Sequence, residues 1–270
     1  TDPQLYQLPY LVIRGMTVAT IIAFYLFFNE GLNFIKKLFQ IDGVSIIGGM
    51  SLTTAFLGFI YSISYTTAAV TLFMLALMPF LASLIAFIFL KEKISKQNFV
   101  SMVIAFIGTL VMIYASAFSG SFFGLIMGFV SSLGFAAFSV ALRSKSDIKK
   151  FYILIYGGIF CALFSAMLMI INNQDFYIPI KNVYLSMTHG TLVASGLILF
   201  SIGSKQLLSG ELTMLSLLEV VGGIFWAWLP ILGINEVPSM NTIIGGAIIC
   251  VAIAMNSYRF DKKRLQNLTR

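Results

Sequence analysis

Apolar residues in this chain are gathered into long runs, and most polar residues collect in the short gaps between them. A run of about 17–25 apolar residues can cross the hydrocarbon core of a bilayer as a single α-helix. The pattern therefore predicts nine helical spans. They cover residues 8–28, 44–66, 67–90, 98–115, 121–142, 151–172, 185–205, 211–232 and 241–258.

One part of this pattern occurs twice. Residues 67–90 form a charge-free run that leads through a short turn around Glu92 into a second apolar run. Residues 211–232 lead in the same way through a turn around Glu236, 144 positions after Glu92. Internal duplication in a strongly apolar chain is typical of transporters.

Composition identifies the solvent. Hydrophobic residues make up 59% of the 270 residues, charged residues only 10%, and the mean hydropathy is +0.96. Soluble domains carry about 25% charged residues, and a water-soluble chain of this length could not bury so much apolar surface. The sequence predicts an all-α integral membrane protein whose solvent is the lipid bilayer.

The distribution of Lys and Arg predicts the orientation. When the gaps are assigned to alternate sides, fifteen of the 17 basic residues fall on one side, and only Arg14 and Lys181 fall on the other. The positive-inside rule makes the first side cytoplasmic. We therefore expect a multi-pass protein of the inner, cytoplasmic membrane with a cytoplasmic C-terminus. Although the net charge is +7, the sequence contains no basic stripe interleaved with exposed aromatics, so we expect no nucleic-acid partner.

With this orientation the two copies of the duplicated segment run in opposite directions across the membrane. The segment 67–115 starts outside, and the segment 211–258 starts inside. Inverted repeats of this kind are a common transporter architecture. Four spans precede residue 117 and five follow it, so we expect a ten-helix (5+5) protein whose first helix is missing here. The predicted units are 1–117, 118–258 and a basic cytoplasmic tail, 259–270.

Glu219 is the first candidate site residue, because it lies about 12 Å into a predicted span at 1.5 Å per residue. A carboxylate at that depth costs about 2.5 kcal/mol or more without a partner or water. The alternative is a protonated or hydrogen-bonded packing group. A single helical stripe also carries neighbours that could form the wall of a pocket, namely Ser216, Gly223, Trp226 and Pro230.

Other candidates lie in the outer half of the predicted bundle. Arg14 could reach the headgroups, pair with Glu219 or bind an anionic group. His189 is either an interfacial hydrogen-bonding group or a site residue that titrates near neutral pH. Tyr61 and Tyr65 share a helix face and form either part of an aromatic belt or a stacking surface for substrate. Pro79 should bend its span, and together with Gly223 it is a candidate hinge or packing residue.

Motifs for enzyme chemistry are weak. The chain has one His and contains no HExxH, G-x-S-x-G or P-loop pattern. We therefore predict a protein that is not an enzyme and that uses no cofactor and no metal.

The two turns carry a resemblance to a known family. The segments Leu90-Lys91-Glu92-Lys93-Ile94-Ser95 and Gly233-Ile234-Asn235-Glu236-Val237-Pro238-Ser239, the second followed by Gly245-Gly246, resemble the EamA-type family of the drug/metabolite transporter superfamily. Arg14 also matches an Arg that is frequent in the family's second helix. The chain departs from the family where Lys91 replaces a common Gly and where Gly223 takes the position of Pro79.

The resemblance implies two inverted five-helix repeats around a central cavity, with transport by alternating access. Relatives export amino acids and other metabolites, or import compounds such as S-adenosylmethionine. The leading hypothesis is a secondary transporter for a small polar or amphipathic metabolite, with a proton as a candidate coupling ion. In it, Glu219 holds a cationic group or the proton, Tyr61, Tyr65 and Trp226 contact the organic body, and Arg14 meets a carboxylate or Glu219. The alternatives are an integral-membrane enzyme acting on lipid or isoprenoid substrates, and a membrane scaffold that transports nothing.

Overall fold

A computed structural model of the chain describes residues 6–40, 42–66, 68–114, 121–145, 149–219, 221–222 and 239–268, with side chains except at 68, 69, 113 and 257–268. The described residues form helices and contain no strand. The helices are α1 (Gln7–Glu30), α2 (Asn33–Leu38), α3 (Gly43–Tyr65), α4 (Ala68–Leu75), α5 (Met78–Leu90), α6 (Lys96–Ile113), α7 (Phe122–Ser144), α8 (Lys149–Ile171), α9 (Ile180–Gly203), α10 (Ser209–Leu215) and α11 (Met240–Leu268).

The described part contains six helical segments that are long and apolar enough to cross a membrane. They are α1, α3, α7, α8, α9 and the stretch Val70–Leu90, which combines α4 and α5. The apolar parts of α6 and α11 are shorter, at Lys96–Met112 and Met240–Asn256. These eight segments coincide with predicted spans, whereas half of the predicted span 211–232 lies outside the described residues. The helical membrane class is confirmed, and the count of nine or ten helices stays a prediction.

Two segments are interrupted at matching places. The run 67–90, predicted as one span, turns at Ala76 and Leu77 before α5 begins. Pro79 lies in the first turn of α5, where its missing N–H removes no helical hydrogen bond. The second duplicated run turns at Ser216 and Leu217. Both copies therefore have a helix break that lies inside the predicted span.

Helix ends differ from the prediction at two places. α9 begins at Ile180, five residues before the predicted span, since Pro179 precedes its first turn. α11 continues to Leu268 through most of the segment 259–270, which was predicted as a basic tail. That segment contains no Gly or Pro, so its local sequence gives the helix no reason to stop.

Small residues allow α1 and α8 to cross at backbone contact, and the contact is reciprocal. A Cβ atom built on Gly15 would lie 2.7 Å from the carbonyl oxygen of Gly158 and 2.8 Å from the amide nitrogen of Ala162. A Cβ atom on Gly158 would lie 2.8 Å from the carbonyl oxygen of Gly15 and 2.7 Å from the amide nitrogen of Ala19. Each helix thus presents a Gly-x-x-x-Ala face to the other, as is common for helices that pack in lipid.

A second reciprocal crossing joins α6 to α11. A Cβ atom on Gly108 would meet the carbonyl oxygen of Gly245 at 2.9 Å, and one on Gly245 would meet the carbonyl oxygen of Gly108. The side chains around the two crossings form separate apolar clusters. The larger cluster joins α1, α3, α7, α8 and α9, and the smaller one joins α6, α10 and α11. The candidate site lies between these two clusters.

Candidate functional site

A cavity of about 440 Å³ lies between the two clusters. Its lining residues come from helices α1, α3, α7 and α9 and from the positions beside the two helix breaks. Most of the lining is apolar, and it includes the rings of Phe56, Phe59, Phe135 and Phe200. A mostly apolar cavity with a few converging polar groups is the usual form of a site for a small molecule.

Four residues selected from the sequence line this one cavity. Arg14 lies on α1 and His189 on α9, whose lining residues we call the α1–α9 wall, and Ser216 and Glu219 lie beside the break that follows α10. Their positions are separated by up to 205 residues along the chain, so only the tertiary fold brings them together. Their role in substrate binding stays a prediction, and their shared position on the lining of one cavity is consistent with that role.

Arg14 is buried, with 3% of its surface exposed. Among the described residues, its Nε and Nη1 atoms have no hydrogen-bond partner. The guanidinium carbon lies 4.2 Å from the ring centroid of Phe56, within the range of a cation–π contact. This face contact supports the charge, but it leaves the N–H groups at the edges of the guanidinium unused.

His189 is held by the neighbouring helix. The Tyr10 hydroxyl and His189 Nδ1 are 2.7 Å apart. Ser186, one turn earlier on α9, donates its hydroxyl to the carbonyl oxygen of Tyr10 at 2.7 Å. These bonds join α9 to α1 and leave Nε2 of His189 as the ring nitrogen that can serve a ligand. Tyr10 was not selected from the sequence, although its spacing of four residues from Arg14 places both on one face of α1.

Glu219 follows the break after α10. Its backbone N–H donates to the carbonyl oxygen of Ser216 at 2.9 Å, and its side chain is exposed where it lines the cavity. Counted from the break, Glu219 takes the position that Pro79 takes after the break between α4 and α5. The sequence offset had instead paired Pro79 with Gly223. A helix break at the cavity also leaves N–H and C=O groups that can serve a ligand.

Tyr61 and Tyr65 lie away from the cavity lining. Their rings stack on each other with centroids 6.3 Å apart, and Phe123 packs edge-on against both. The pair therefore contributes to packing between α3 and α7 in this structure. Trp226 and Gly223 lie outside the described residues. Pro79 is buried in α5 beside Met78, which lines the cavity.

Between the cavity and the end of the bundle that carries Arg143 lies a layer of three aromatic rings. Phe200 lies 5.2 Å from Phe135 and 6.1 Å from Phe138, measured between ring centroids. Phe135 and Phe200 also line the cavity, and Phe138 is fully buried. The layer closes this side of the cavity with apolar groups. We refer to the end beyond it as the basic end.

A polar network lies beyond the aromatic layer. Arg143, at the end of α7, donates through Nε to Glu92 at 3.0 Å and through Nη1 to the carbonyl oxygens of Ser204 and Lys205, each at 3.0 Å. The other carboxylate oxygen of Glu92 accepts from the backbone N–H of Ser209 at 3.2 Å. This network joins the α5–α6 turn to α7, α9 and α10. The sequence pattern places Glu92 in a turn and Arg143 among the basic gap residues, and it does not indicate that the two meet.

A second contact completes the network. The Asn98 amide nitrogen donates to Glu211 Oε1 at 2.6 Å, and the backbone N–H of Leu208 donates to Glu211 Oε2 at 3.1 Å. Asn98 belongs to α6 and Glu211 to α10, so the contact again links the two halves of the chain. Spacing along one helix could not predict such pairs, because their partners belong to different helices.

Comparison with known proteins agrees with this architecture. Residues 8–114 match the model of the EamA-like transporter family. This part of the chain is EamA-like. The resemblance predicted from the two turns is therefore confirmed, and together with the membrane-length helices it identifies a multi-pass membrane protein of the transporter class.

Similar full-length proteins give the same class. The pseudopaline exporter CntI of Pseudomonas aeruginosa is 26% identical over 200 residues, which cover 72% of this chain and 67% of that protein. The exporter of the same name from a second strain of this species is 25% identical over the same length. A solved crystal structure aligns with a TM-score of 0.74 over 97% of this chain and 89% of that chain. At 17% identity this last match concerns the fold alone.

Proposed function

We propose that the protein is a secondary transporter that carries a small polar or amphipathic metabolite, amino-acid-like or S-adenosylmethionine-like, through the cavity by alternating access. The observation that carries the proposal is the placement of Arg14, His189 and Glu219 in one 440 Å³ cavity between two helix clusters. Buried charges inside a membrane bundle are costly, and they usually mark a substrate or ion pathway. A scaffold that transports nothing has no use for them.

The reciprocal glycine crossings support the inverted-repeat part of the proposal. When a two-fold axis relates two similar units, a contact between residue i of one unit and residue j of the other is matched by a contact between j of the first and i of the second. Gly15 contacts Ala162, and Ala19 contacts Gly158, in this way. In our proposal α1 corresponds to α8 and α6 corresponds to α11, and the helix breaks at 76–77 and 216–217 correspond as well.

The closed basic end supports alternating access. The aromatic layer of Phe135, Phe138 and Phe200 and the network around Arg143 separate the cavity from this end. We propose that this structure is the state with the basic, cytoplasmic end closed. Passage to that side then requires Arg143 to separate from Glu92 and from the carbonyl groups of α9. The names of the two relatives favour export as the direction.

Transport by purified protein in proteoliposomes tests the proposal. The full chain is reconstituted, and uptake of radiolabelled amino acids and S-adenosylmethionine is measured with and without a pH gradient. We expect saturable uptake of at least one compound, and we expect Glu219→Gln to lower it about 10–100-fold while the protein elutes as a folded species from size exclusion. Proton coupling would appear as a rate that follows the imposed gradient. Undiminished uptake by Glu219→Gln would remove Glu219 from the site.

A further inference from the structure

The guanidinium of Arg14 has hydrogen-bonding capacity that the protein leaves unused. No hydrogen bond or ion pair reaches it from the described residues, and Nε and Nη1 are buried without a partner. A buried donor without a partner is costly, and a buried unpaired charge is more costly still. A group from outside the described residues that accepts from these donors, water or cargo, would remove this cost.

Neighbouring groups do not supply that partner. Glu219 lines the same cavity but forms no ion pair with Arg14 within 4.0 Å. The Tyr10 hydroxyl, one turn away on α1, is engaged with His189. Phe56 covers the face of the guanidinium and cannot accept hydrogen bonds at its edges. Among the described residues, the groups that surround Arg14 thus hold its position and accept no hydrogen bond from Nε or Nη1.

We infer that Arg14 anchors a carboxylate of the transported compound, with His189 as a second donor beside it, and that Glu219 faces the opposite, hydrogen-bond-donating end of the compound. This inference rests on the proposed function and specifies the chemistry of its cargo. A guanidinium offers planar pairs of N–H groups that match the two oxygens of a carboxylate, which a point charge such as Lys does not. The cargo is therefore a carboxylate with an apolar middle.

The cavity wall determines the orientation of such a compound. Arg14 and His189 belong to the α1–α9 wall, and Ser216 and Glu219 belong to the wall beside the α10 break. The lining between them is made mainly of Phe and Leu side chains. If the Tyr10 hydroxyl donates to Nδ1, the neutral imidazole of His189 carries its proton on Nε2 and becomes a donor. Both polar groups of the α1–α9 wall are then donors, as a carboxylate requires.

Three probes of one shape test the inference without knowledge of the natural cargo. They are 3-phenylpropionate, its neutral carboxamide 3-phenylpropionamide, and the cation 3-phenylpropylamine. Binding is measured with the full-length protein in detergent, by thermal shift and by the NMR signals of the arginine Nε–H groups. We expect the acid to bind about tenfold or more tighter than the amide, since a charged hydrogen-bond pair is lost with the amide. The Nε signal of Arg14, assigned by its absence from Arg14→Lys, should shift with the acid alone.

Variants separate the anchor from general charge effects. Arg14→Gln should remove the preference for acid over amide, and Arg14→Lys should keep part of it. The matched control is Lys181→Gln, which removes one exposed positive charge at the beginning of α9 and should behave as the wild type does. A preference that persists in Arg14→Gln, or a wild-type protein without any preference for the acid, would overturn the inference.

The same measurements distinguish this inference from the proposed function. If the protein binds the acid through Arg14 but carries no compound across a vesicle membrane, the inference about Arg14 stands and the proposed transport function is wrong. If the Arg14→Gln variant transports as well as the wild type does, the proposed transport function stands and the inference about Arg14 is wrong. Because the Nε signal is read in the wild-type protein, the test remains decisive even if Arg14→Gln folds poorly.

Discussion

Two Arg–Glu sets in this protein have similar composition and opposite chemistry. At the basic end, Arg143 lies 3.0 Å from Glu92 and also donates to two carbonyl groups. In the cavity, Arg14 and Glu219 form no ion pair within 4.0 Å, and Nε and Nη1 of Arg14 find no partner in the part of the chain that the structure describes. In both sets, the Arg and the Glu come from distant parts of the chain: Arg143 from α7 and Glu92 from the α5–α6 turn, Arg14 from α1 and Glu219 from the segment after α10.

The difference suggests different roles for the two arginines: Arg143 stabilises the structure, whereas Arg14 in our proposal binds a ligand. Paired and hydrogen-bonded groups lie near their energy minimum, so separating them destabilises the closed state. Unpaired charged groups in a cavity lack favourable interactions, so a ligand of opposite charge that binds there lowers the free energy of the complex. We therefore expect substitutions in the first set to change stability, and substitutions in the second to change binding and transport.

The largest expected effect is on transport. Glu219→Gln should lower transport about 10–100-fold, because it removes one charged hydrogen-bonding group from the site. The midpoint of thermal unfolding should stay within experimental error, since no described side chain loses a partner. Uptake in proteoliposomes and thermal unfolding in detergent measure the two quantities. Glu92→Gln is the matched control, and it should lower thermal stability. If both substitutions had the same profile, the comparison would fail.

The next effect is on stability. Arg143→Met should destabilise the protein by about 1–3 kcal/mol, because it leaves Glu92 and two carbonyl groups without their donor. Denaturation with a graded detergent or urea series measures the change. The double variant with Glu92→Gln should lose less than the sum of the two single variants, since the residues share one contact. Strict additivity would show that the pair contributes no coupling.

A smaller change in stability should follow at the second contact of the network. Asn98→Ala removes the donor to Glu211 Oε1, while Oε2 keeps its bond from Leu208. We expect a loss of about 1 kcal/mol, as is usual for one hydrogen bond. Gln97→Ala on the same helix removes a bond from Gln97 to the carbonyl oxygen of Met255 instead and serves as the comparison. Cavity binding of 3-phenylpropionate should stay unchanged in both.

The smallest effect concerns Asp42, which precedes α3 and accepts from Lys145 at 2.6 Å. Partial burial alone raises the pKa of Asp42, but the bonds from Lys145 and Ser45 outweigh it and lower the pKa from 3.8 to about 2. The contribution to stability is therefore complete above pH 3.8 and is lost as the pH falls through about 2. It should be under about 1 kcal/mol, because the Asp42 side chain is 45% exposed and salt screens the pair.

Unfolding of Asp42→Asn between pH 5 and pH 2 measures this contribution. The variant should be slightly less stable than the wild type at pH 5, and the two should converge at the acid end. High salt should reduce the difference at pH 5. A difference that grew as the pH fell would contradict the assigned direction of the pKa shift.

Much of the fold could be predicted from the chain because helix formation in lipid depends on local patterns. Runs of apolar residues located the membrane-length helices, and the gap residues located their ends within a few positions. Pro79 predicts the interruption in this run, because Pro disrupts helical hydrogen bonds in a helix interior and is tolerated in the first turn of a new helix. The continuation of α11 into the segment 259–270 was not anticipated, since charge was taken as a sign of a tail.

The candidate site could be predicted only in part. Arg14, His189 and Glu219 stand out because ionisable groups are rare in apolar runs, whatever their neighbours are. Phe56, Tyr10 and Phe200 do not stand out, since aromatic residues are abundant and their roles depend on which helix they face. Tyr61 and Tyr65 share a face, as predicted, but that face packs against Phe123 rather than the cavity.

By itself the sequence determined that this is a helical membrane protein, which end carries the positive charge, and which few ionisable groups lie at membrane depth. Only the tertiary structure decided that Arg143 meets Glu92 and that Arg14 stays apart from Glu219. The physical reason is one of range. Hydropathy and helix periodicity act over one or two turns, whereas the register between helices depends on close contacts such as that of Gly15 with Gly158, whose partners lie far apart along the chain.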